Sequence, residues 1–382
     1  MNSRRVLDDA GYGLLATDLG PVAVRSVLSE EAFHRMISLE RKRTERSHKP
    51  FLLMLLDMGH EMSVNNGAGR LDKILSVLAL ATRETDVVGW YKDGVVVGAM
   101  FTEIDLEEKR HILNTVQGRV RRALEDNLDL EHIDQISISF HWFPEEWQKA
   151  TSRRPNAPVL YPDLARRDQA RKLFCTLKRA MDICGSLLAL LVASPVFLLI
   201  ALAVKLTSKG PIFFKQERVG QYGVPFPLLK FRSMKVNNNC NLHKEYVLQL
   251  IAGVAEKKPC NGNGQGLYKL TSDPRITSLG AFLRRTSLDE LPQFINVLKG
   301  EMSLVGPRPP IDYEVDKYDL WHRRRVMEAK PGITGLWQVN GRNRLGFNEM
   351  VRLDLMYARS WSPWLDLKIL LRTPRAVVAG AR

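Results

Sequence analysis

The sequence predicts an α/β protein in which two soluble regions flank one membrane-embedded segment. Its 382 residues suffice for two domains, each with its own core. Residues 1–150 alternate between apolar strands and amphipathic helices, and residues 183–204 contain no charged side chain over 22 positions. With 45% hydrophobic and 26% charged residues, the composition is that of a globular chain and excludes a disordered or polytopic one.

Residues 1–150 have the element order of a ferredoxin-like domain: helix, strand, helix, hairpin, helix, strand. The tripeptide Lys92-Asp93-Gly94 supplies the hairpin turn. The expected helices lie near 30–46, 70–83 and 105–128, and the expected strands cover 51–58, 87–91, 94–101 and 135–143.

The same region resembles a GGDEF-type nucleotide cyclase domain in RKRTERSHKPFLLMLLDM, in LATRETDVVGWYKDGVVVGAMF and in the long helix that follows. Where such a cyclase carries Gly-Gly-Asp-Glu-Phe, this chain has Lys92-Asp93-Gly94-Val95-Val96, so the paired acidic residue is missing. Asp57 matches a metal-binding carboxylate of that family, but no second Asp follows two positions later, which argues against a two-metal site. The resemblance implies a degenerate domain without cyclase activity, used for interaction or nucleotide sensing.

Residues 151–176 are rich in arginine and proline and predict a basic linker that ends in a juxtamembrane helix. As a helix, residues 183–204 would be about 33 Å long, enough for the hydrocarbon core of a bilayer. Ser194-Pro195 lies in the middle and predicts a kink. Because basic residues flank both ends, both ends prefer the cytoplasm, which favours a re-entrant helix; a kinked spanning helix is the alternative.

The net charge of +14 implies anionic partners: nucleic acid, an anionic membrane face or phosphorylated substrates. Nucleic acid is disfavoured because aromatic residues are not interleaved through a basic patch. The four cysteines form no CxxC pair and fit a reducing cytoplasm, and the N-terminus lacks an apolar run of the signal-peptide type. A zinc site of Cys240, His243 and Cys260 is disfavoured because the spacing matches no usual ligand pattern.

Asp289 and Glu290 are the candidate reactive pair. Pro292 cannot donate a hydrogen bond, so a helix starts most easily with Asp289 as N-cap and closes near Gly300. That helix alone leaves two interpretations open: the carboxylates do chemistry, or they merely complement the helix dipole.

The surrounding cations favour chemistry. Arg284 and Arg285 precede the pair, and the stiff Gly-Pro-Arg-Pro-Pro segment that follows presents Arg308. Arginine matches phosphate oxygens, and a carboxylate nucleophile among cations and a divalent ion suits phosphoryl transfer. A hairpin in 210–234 is expected to display Lys230 and Arg232, which by themselves would read as a solvated strand edge.

From about residue 177 to 375 the chain resembles the bacterial sugar transferase family, the monotopic polyprenyl-phosphate hexose-1-phosphate transferases. The resemblance rests on ordered motifs that include KRAMDICGSLLALLVASPVF, LLKFRSM, SLDELPQFINVLKGEMSLVGPRP, KPGITGLWQVNGRN and YARSWSPWLDLKILLRT. It implies a C-terminal α/β domain over 177–382, anchored by the re-entrant helix and by interfacial amphipathic helices. Residues 318–329 and the stretch Trp361, Trp364, Leu367, Ile369 and Leu370 have the aromatic and basic composition of interfacial helices, although such aromatics are often core.

The resemblance further implies that Asp289 attacks the sugar-bearing phosphate of a UDP-sugar, releases UMP and carries the phosphosugar until undecaprenyl phosphate accepts it. Glu290 would assist, and Mg²⁺ would be held by both carboxylates. The expected substrate contacts are Lys230, Arg284, Arg308, Gln338 and Arg342.

The implied setting is the cytoplasmic face of a bacterial inner membrane, where the reaction would initiate exopolysaccharide or other surface glycan synthesis; a homodimer is compatible with it. For the GLWQVNGRN element, a loop stabilised by Gly332, Gly335 and Gly341 is the purely structural alternative. For the whole chain, the alternative is a catalytically inactive, nucleotide-sensing membrane scaffold, against which the intact Asp289, Glu290 and Arg308 argue.

Overall fold

The computed structural model describes residues 27–59, 68–104, 109–127, 136–144, 158–170, 172–207, 209–234, 241–255 and 276–380. These residues form two compact units that divide between residues 145 and 146. The disfavoured zinc ligands Cys240 and Cys260 and the side chain of His243 lie outside the described part.

The first unit is a four-stranded antiparallel sheet with strand order β2-β3-β1-β4, the order of a ferredoxin-like fold. Its elements are α1 (Glu30–Ser47), β1 (Phe51–Asp57), α2 (Ala68–Ala81), β2 (Val87–Lys92), β3 (Val96–Phe101), α3 (Lys109–Glu125) and β4 (Ser137–Phe143). The first six residues of the central strand β1 are buried, and Phe33 of α1 lies so close to Gly89 and Gly98 that a Cβ at either position would collide with its ring. The predicted turn is present, with the Val95 amide donating to Lys92 O at 3.0 Å.

The second unit surrounds a short parallel strand pair and an antiparallel hairpin. Its elements are α4 (Pro162–Ala170), α5 (Lys172–Thr207), β5 (Phe213–Val219), β6 (Pro225–Phe231), α6 (Asn241–Ile251), α7 (Ser278–Thr286), α8 (Gln293–Lys299), β7 (Ser303–Val305), α9 (Asp312–Val315), α10 (Leu320–Glu328), β8 (Gly332–Thr334), α11 (Leu336–Asn340), α12 (Phe347–Ser360) and α13 (Pro363–Gly380). Part of the predicted linker belongs to this unit, because Leu160, Tyr161 and Leu164 are buried.

Helix α5 contains the whole apolar segment and is long and apolar enough to cross a membrane by length and composition. Pro195 lies inside it and cannot donate to Leu191 O; the Ser194 hydroxyl donates to that carbonyl instead, at 2.8 Å. Ser186 and Ile200, on either side of Pro195 in sequence, are buried in the unit, whereas most of the leucines and both valines between them, such as Leu191 (72% exposed), face outward.

The first turns of α5 are attached to the unit by polar contacts. Lys178 forms an ion pair with Asp366 of α13 at 2.6 Å. Arg179 donates to the carbonyls of Val297 and Leu298 in the last turn of α8, where a cation complements the helix dipole. The buried Asp182 accepts from Ser303 Oγ and from the Leu304 amide, both at 2.9 Å. The N-terminal turns of α5 are therefore part of the folded second unit.

The structure corrects the prediction that residues 318–329 form an interfacial helix. Helix α10 buries His322, Arg325, Val326 and Met327, so it is a core helix. In α13, Ile369 is buried and Leu370 is partly buried in the core. The outward-facing apolar side chains of α13 are those of Trp364, Leu367, Leu371 and Val378.

Candidate active site

The Asp289-Glu290 pair lies in a turn between two short helices. Helix α7 ends where Ser287 adopts a left-handed conformation (φ 57°), and a 3₁₀ turn over Leu288–Glu290 follows. The predicted N-cap role of Asp289 is wrong, because α8 begins only at Gln293, with Pro292 in the capping position. The predicted end of this helix is confirmed: Gly300 closes it with φ 84°. Helix capping therefore does not explain Asp289.

Apolar packing fixes this turn against the second half of α5. Leu288 and Leu291, on either side of the carboxylates, join a cluster with Ile200, Val204 and Phe231. Asp289 is buried at 6% exposure. The acidic pair is thus attached directly to the apolar helix.

The β5–β6 hairpin supplies the nearest cation. Lys230 Nζ donates to Glu290 Oε1 at 2.8 Å. Burial acts to raise the pKa of Glu290. The charge and hydrogen bond of Lys230, together with the charges of Arg342 and Arg308, outweigh burial and hold this pKa below its ordinary value. Arg232, two positions later, turns inward and donates to Val204 O at 3.4 Å and to Pro211 O. The same hairpin therefore contacts the acidic pair through Lys230 and the end of α5 through Arg232.

The pKa of Asp289 is shifted in the opposite direction from that of Glu290. Burial raises its pKa from 3.8 to about 6, with a further rise from Glu290, while Lys230 and Arg284 partly offset the effect. At neutral pH this carboxyl is ionised yet poorly solvated. Perturbation by burial and specific charges is typical of catalytic carboxylates.

Arg308 lies on the rigid segment after β7, which pairs in parallel with β8. The Gly306 amide donates to Thr334 O at 2.8 Å, and the close backbone contacts of Gly306 and Gly332 leave no room for a Cβ. The guanidinium lies 3.9 Å from the carboxylate of Glu314, which is buried. The charge of Arg308 also contributes to the lowered pKa of Glu290.

The two predicted contacts from the GLWQVNGRN element differ in position. Arg342 adopts a left-handed φ of 46° and donates to Ala376 O at 3.4 Å, and its charge helps to lower the pKa of Glu290. Gln338 donates to Ile333 O at 3.3 Å, and its Oε1 is buried near Gly335. Gln338 therefore braces the backbone after β8, and contact with a nucleotide stays a prediction for it.

Sequence reasoning missed three buried charged residues around Arg308: Arg218, Glu314 and Arg325. Arg218 is desolvated, and Arg308 adds repulsion, so the pKa of Arg218 falls to about 10. No local pattern distinguished them, because Arg218 ends the polar run Lys215-Gln216-Glu217-Arg218 and Arg325 ends a run of three arginines.

Asp289 and Glu290 form a donor set of two adjacent carboxylates. No cluster of three or more His, Cys, Asp or Glu side chains that could hold a metal occurs in the described part of the chain. Two carboxylates completed by substrate phosphates are a usual Mg²⁺ arrangement, so this pair fits the ion only as part of a substrate complex.

Comparison with known proteins identifies the second unit. The sequence model of the family "Bacterial sugar transferase" matches residues 173–380. The chain belongs to this family. The described site residues all fall within the matched range.

Three relatives illustrate the similarity. Galactosyl transferase CpsE of Streptococcus agalactiae is 44% identical over 204 residues, which are 53% of this chain and 42% of that protein. The undecaprenyl-phosphate galactose phosphotransferase of Salmonella typhimurium is 44% identical over 205 residues, 53% of this chain and 40% of that protein. The exopolysaccharide production protein ExoY of Rhizobium meliloti is 36% identical over 229 residues, 60% of this chain and 96% of that protein. The chain thus spans about two-fifths of the first two relatives and nearly all of ExoY.

Two solved structures match part of the chain. One is a DGC protein from Thermotoga maritima (TM-score 0.25, 18% identity, 32% of this chain and 86% of that chain). The other is the GGDEF domain of DgcB from Caulobacter crescentus (TM-score 0.25, 13% identity, 34% of this chain and 79% of that chain). TM-scores of this size do not support assigning a fold or a function to this chain.

Proposed function

We propose that this chain transfers hexose-1-phosphate from a UDP-sugar to undecaprenyl phosphate and so initiates exopolysaccharide or other surface glycan synthesis. The observation that supports this most directly is the buried Asp289, whose pKa of about 6 leaves it ionised at neutral pH. It lies among the charges of Lys230, Arg284, Arg308 and Arg342, on a turn attached to the apolar helix. The names of the relatives agree with this reaction.

In the first step, a carboxylate oxygen of Asp289 attacks the sugar-bearing phosphorus. An O–P bond forms as the bond to the bridging oxygen breaks, and UMP leaves with the electron pair. In the second step, a phosphate oxygen of undecaprenyl phosphate attacks the same phosphorus and Asp289 leaves as a carboxylate. Neither step requires a net proton transfer, which fits a site rich in cations rather than in general acids.

The described cations would act by position and charge. Lys230 donates to Glu290, while Arg308 and Arg342, whose charges help to lower the pKa of Glu290, would neutralise the diphosphate. Mg²⁺, held by Asp289 and Glu290 together with substrate phosphates, would supply further charge neutralisation when bound. Partial burial strengthens each of these interactions.

We also propose that α5 is re-entrant and holds the site at the cytoplasmic surface of the inner membrane. Both Ser186 and Ile200, on opposite sides of Pro195 in sequence, are buried in the same unit, whereas most residues between them are exposed. The exposed stripe of α13, which includes Trp364 and Leu371, would rest in the interface, with Lys368 and Arg372 beside it for anionic headgroups. This depth suits an acceptor with an apolar tail and a phosphate head.

For the first unit, we propose a degenerate GGDEF-like domain without cyclase activity. Asp57 Oδ1 accepts from the Gly59 amide at 3.0 Å as part of the turn after β1. A GTP turnover assay on the whole chain that yields a cyclic dinucleotide would contradict this proposal.

The transfer proposal is tested by incubating the detergent-solubilised protein with UDP-sugars, one at a time, without lipid. The cognate sugar should increase the intact mass by one hexose phosphate and release one equivalent of UMP, and undecaprenyl phosphate should then restore the original mass. The Asp289→Asn variant should show neither event. UMP release by that variant would refute the assignment of the nucleophile, and no release by the wild-type protein with any UDP-sugar would favour the inactive scaffold.

A further inference from the structure

The segment that presents Arg308 is held through its own backbone. Because Pro307, Pro309 and Pro310 have no N–H, the segment can be fixed mainly through its carbonyl oxygens. Each of the four carbonyls from Pro307 to Pro310 accepts a hydrogen bond. The donors, in chain order, are the Gly332 amide (2.9 Å), Arg325 Nη2 (3.1 Å), Arg218 Nη1 (2.9 Å) and the Val219 amide (2.9 Å).

Two of these donors are buried arginine side chains. Arg218 is also fixed by Gln216 Oε1, at 2.7 Å and 3.1 Å. Arg325 Nη2 lies 2.7 Å from the carboxylate of Asp354, which is 1% exposed. Burying a guanidinium costs desolvation free energy unless the group is paired. Apolar side chains could fill the same space without that cost, so packing alone does not explain these two arginines. Together the two arginines bind the carbonyls of two successive residues, Arg308 and Pro309.

The side chain of Arg308 is itself loosely held. It is 41% exposed, and its distance of 3.9 Å to Glu314 is too long for a hydrogen bond. The reach of its guanidinium is therefore decided by the position of its backbone. A shift of that backbone by about 1 Å would misplace the donors that meet the substrate.

We infer that Arg218 and the Arg325–Asp354 pair are positioning residues that set where Arg308 meets the diphosphate of the nucleotide sugar. This inference rests on the proposed transferase function. The competing explanation is that the Arg325–Asp354 pair only joins helices α10 and α12. The two explanations differ in whether the effect of the pair on catalysis depends on Arg308.

The test is a cycle of variants with UMP release and thermal unfolding measured on the full chain in detergent. Arg325→Met combined with Asp354→Leu removes both buried charges together, a change that often preserves stability. We expect kcat/KM to fall by roughly 100-fold with a near-native unfolding midpoint. Arg308→Ala should cause a similar fall, and adding the double change to Arg308→Ala should cost almost nothing more. Arg352→Met, an exposed charge on the same helix as Asp354, is the matched control and should keep full activity.

Losses that multiply in the combined variant, or full activity of the double variant, would overturn the inference. If the double variant does not fold, Arg218→Lys takes its place in the same cycle, because lysine keeps the charge but cannot bind Gln216 and Pro309 O together. The wild-type protein separates the two proposals: if it releases no UMP, the transferase proposal fails and takes this inference with it. If it is active and the losses multiply, only the positioning role fails.

Discussion

Asp289, the proposed nucleophile, should destabilise the fold that carries it. The folded state raises the pKa of Asp289 from 3.8 to about 6, so it binds the proton more tightly than the unfolded chain does. Ionisation of Asp289 therefore lowers the stability of the fold progressively as pH rises from about 4 through about 6. At neutral pH the rise in pKa to about 6 corresponds to a loss of about 3 kcal/mol.

Asp289→Asn keeps the shape and removes the charge, so at pH 7.5 it should abolish UMP release and stabilise the second unit by up to about 3 kcal/mol. For a unit of this size that is roughly 6–12 °C in the unfolding midpoint. The gain should vanish near pH 4, where the wild-type carboxyl is protonated as well. Differential scanning calorimetry in detergent at both pH values measures it.

Glu290→Gln is the matched control, because it makes the same change one residue later and should have the opposite sign. Lys230 favours the ionised form of Glu290 and lowers its pKa, so the neutral variant should be less stable at pH 7.5. A less stable Asp289→Asn protein at pH 7.5, or a gain that persists at pH 4, would refute the description of Asp289 as a desolvated anion.

Three further predictions follow from the same contacts. Activity of the wild-type protein should fall as pH drops below about 6, because Asp289 must be ionised to attack. Lys230→Met should move this acidic limb of the pH–activity profile to higher pH, because Lys230 lowers the pKa of Asp289. An unchanged limb would mean that another group sets it. Replacing Ser194 and Pro195 together by alanine should straighten α5, so that cysteines introduced at its two ends are labelled from opposite sides of the membrane rather than from one. Trp364→Glu should weaken sedimentation with liposomes, whereas Trp361→Glu should mainly disturb folding, because Trp361 donates to Asp366 at 3.1 Å.

The sequence predicted those parts of the site that depend on local pattern. The apolar segment, the hairpin that carries Lys230 and the helix end at Gly300 follow from charge-free length, strand pattern and glycine. The turn at Ser287 could not be predicted, because serine has little preference for a left-handed conformation and long-range packing of Leu288 and Leu291 fixes it. Helix α10 was misjudged for the same reason: its aromatic and basic composition is typical of an interfacial helix, whereas Asp354, distant in sequence, pairs with Arg325 inside the core.

The attachment of the acidic turn to α5 suggests why a buried carboxylate would suit the proposed chemistry. A carboxylate in water would bear a phosphoryl group exposed to hydrolysis, whereas Asp289 is buried between Leu288 and Leu291 in sequence, and both leucines pack in the cluster with the apolar helix. The same helix is the surface along which an isoprenoid acceptor would approach in the proposed topology. In the proposed mechanism, burial would raise the energy of the free Asp289 carboxylate, limit access of water to the phosphosugar and direct it to a lipid phosphate. Loosening the cluster by Leu291→Ala should therefore increase release of free sugar phosphate relative to transfer, and an unchanged ratio would contradict this explanation.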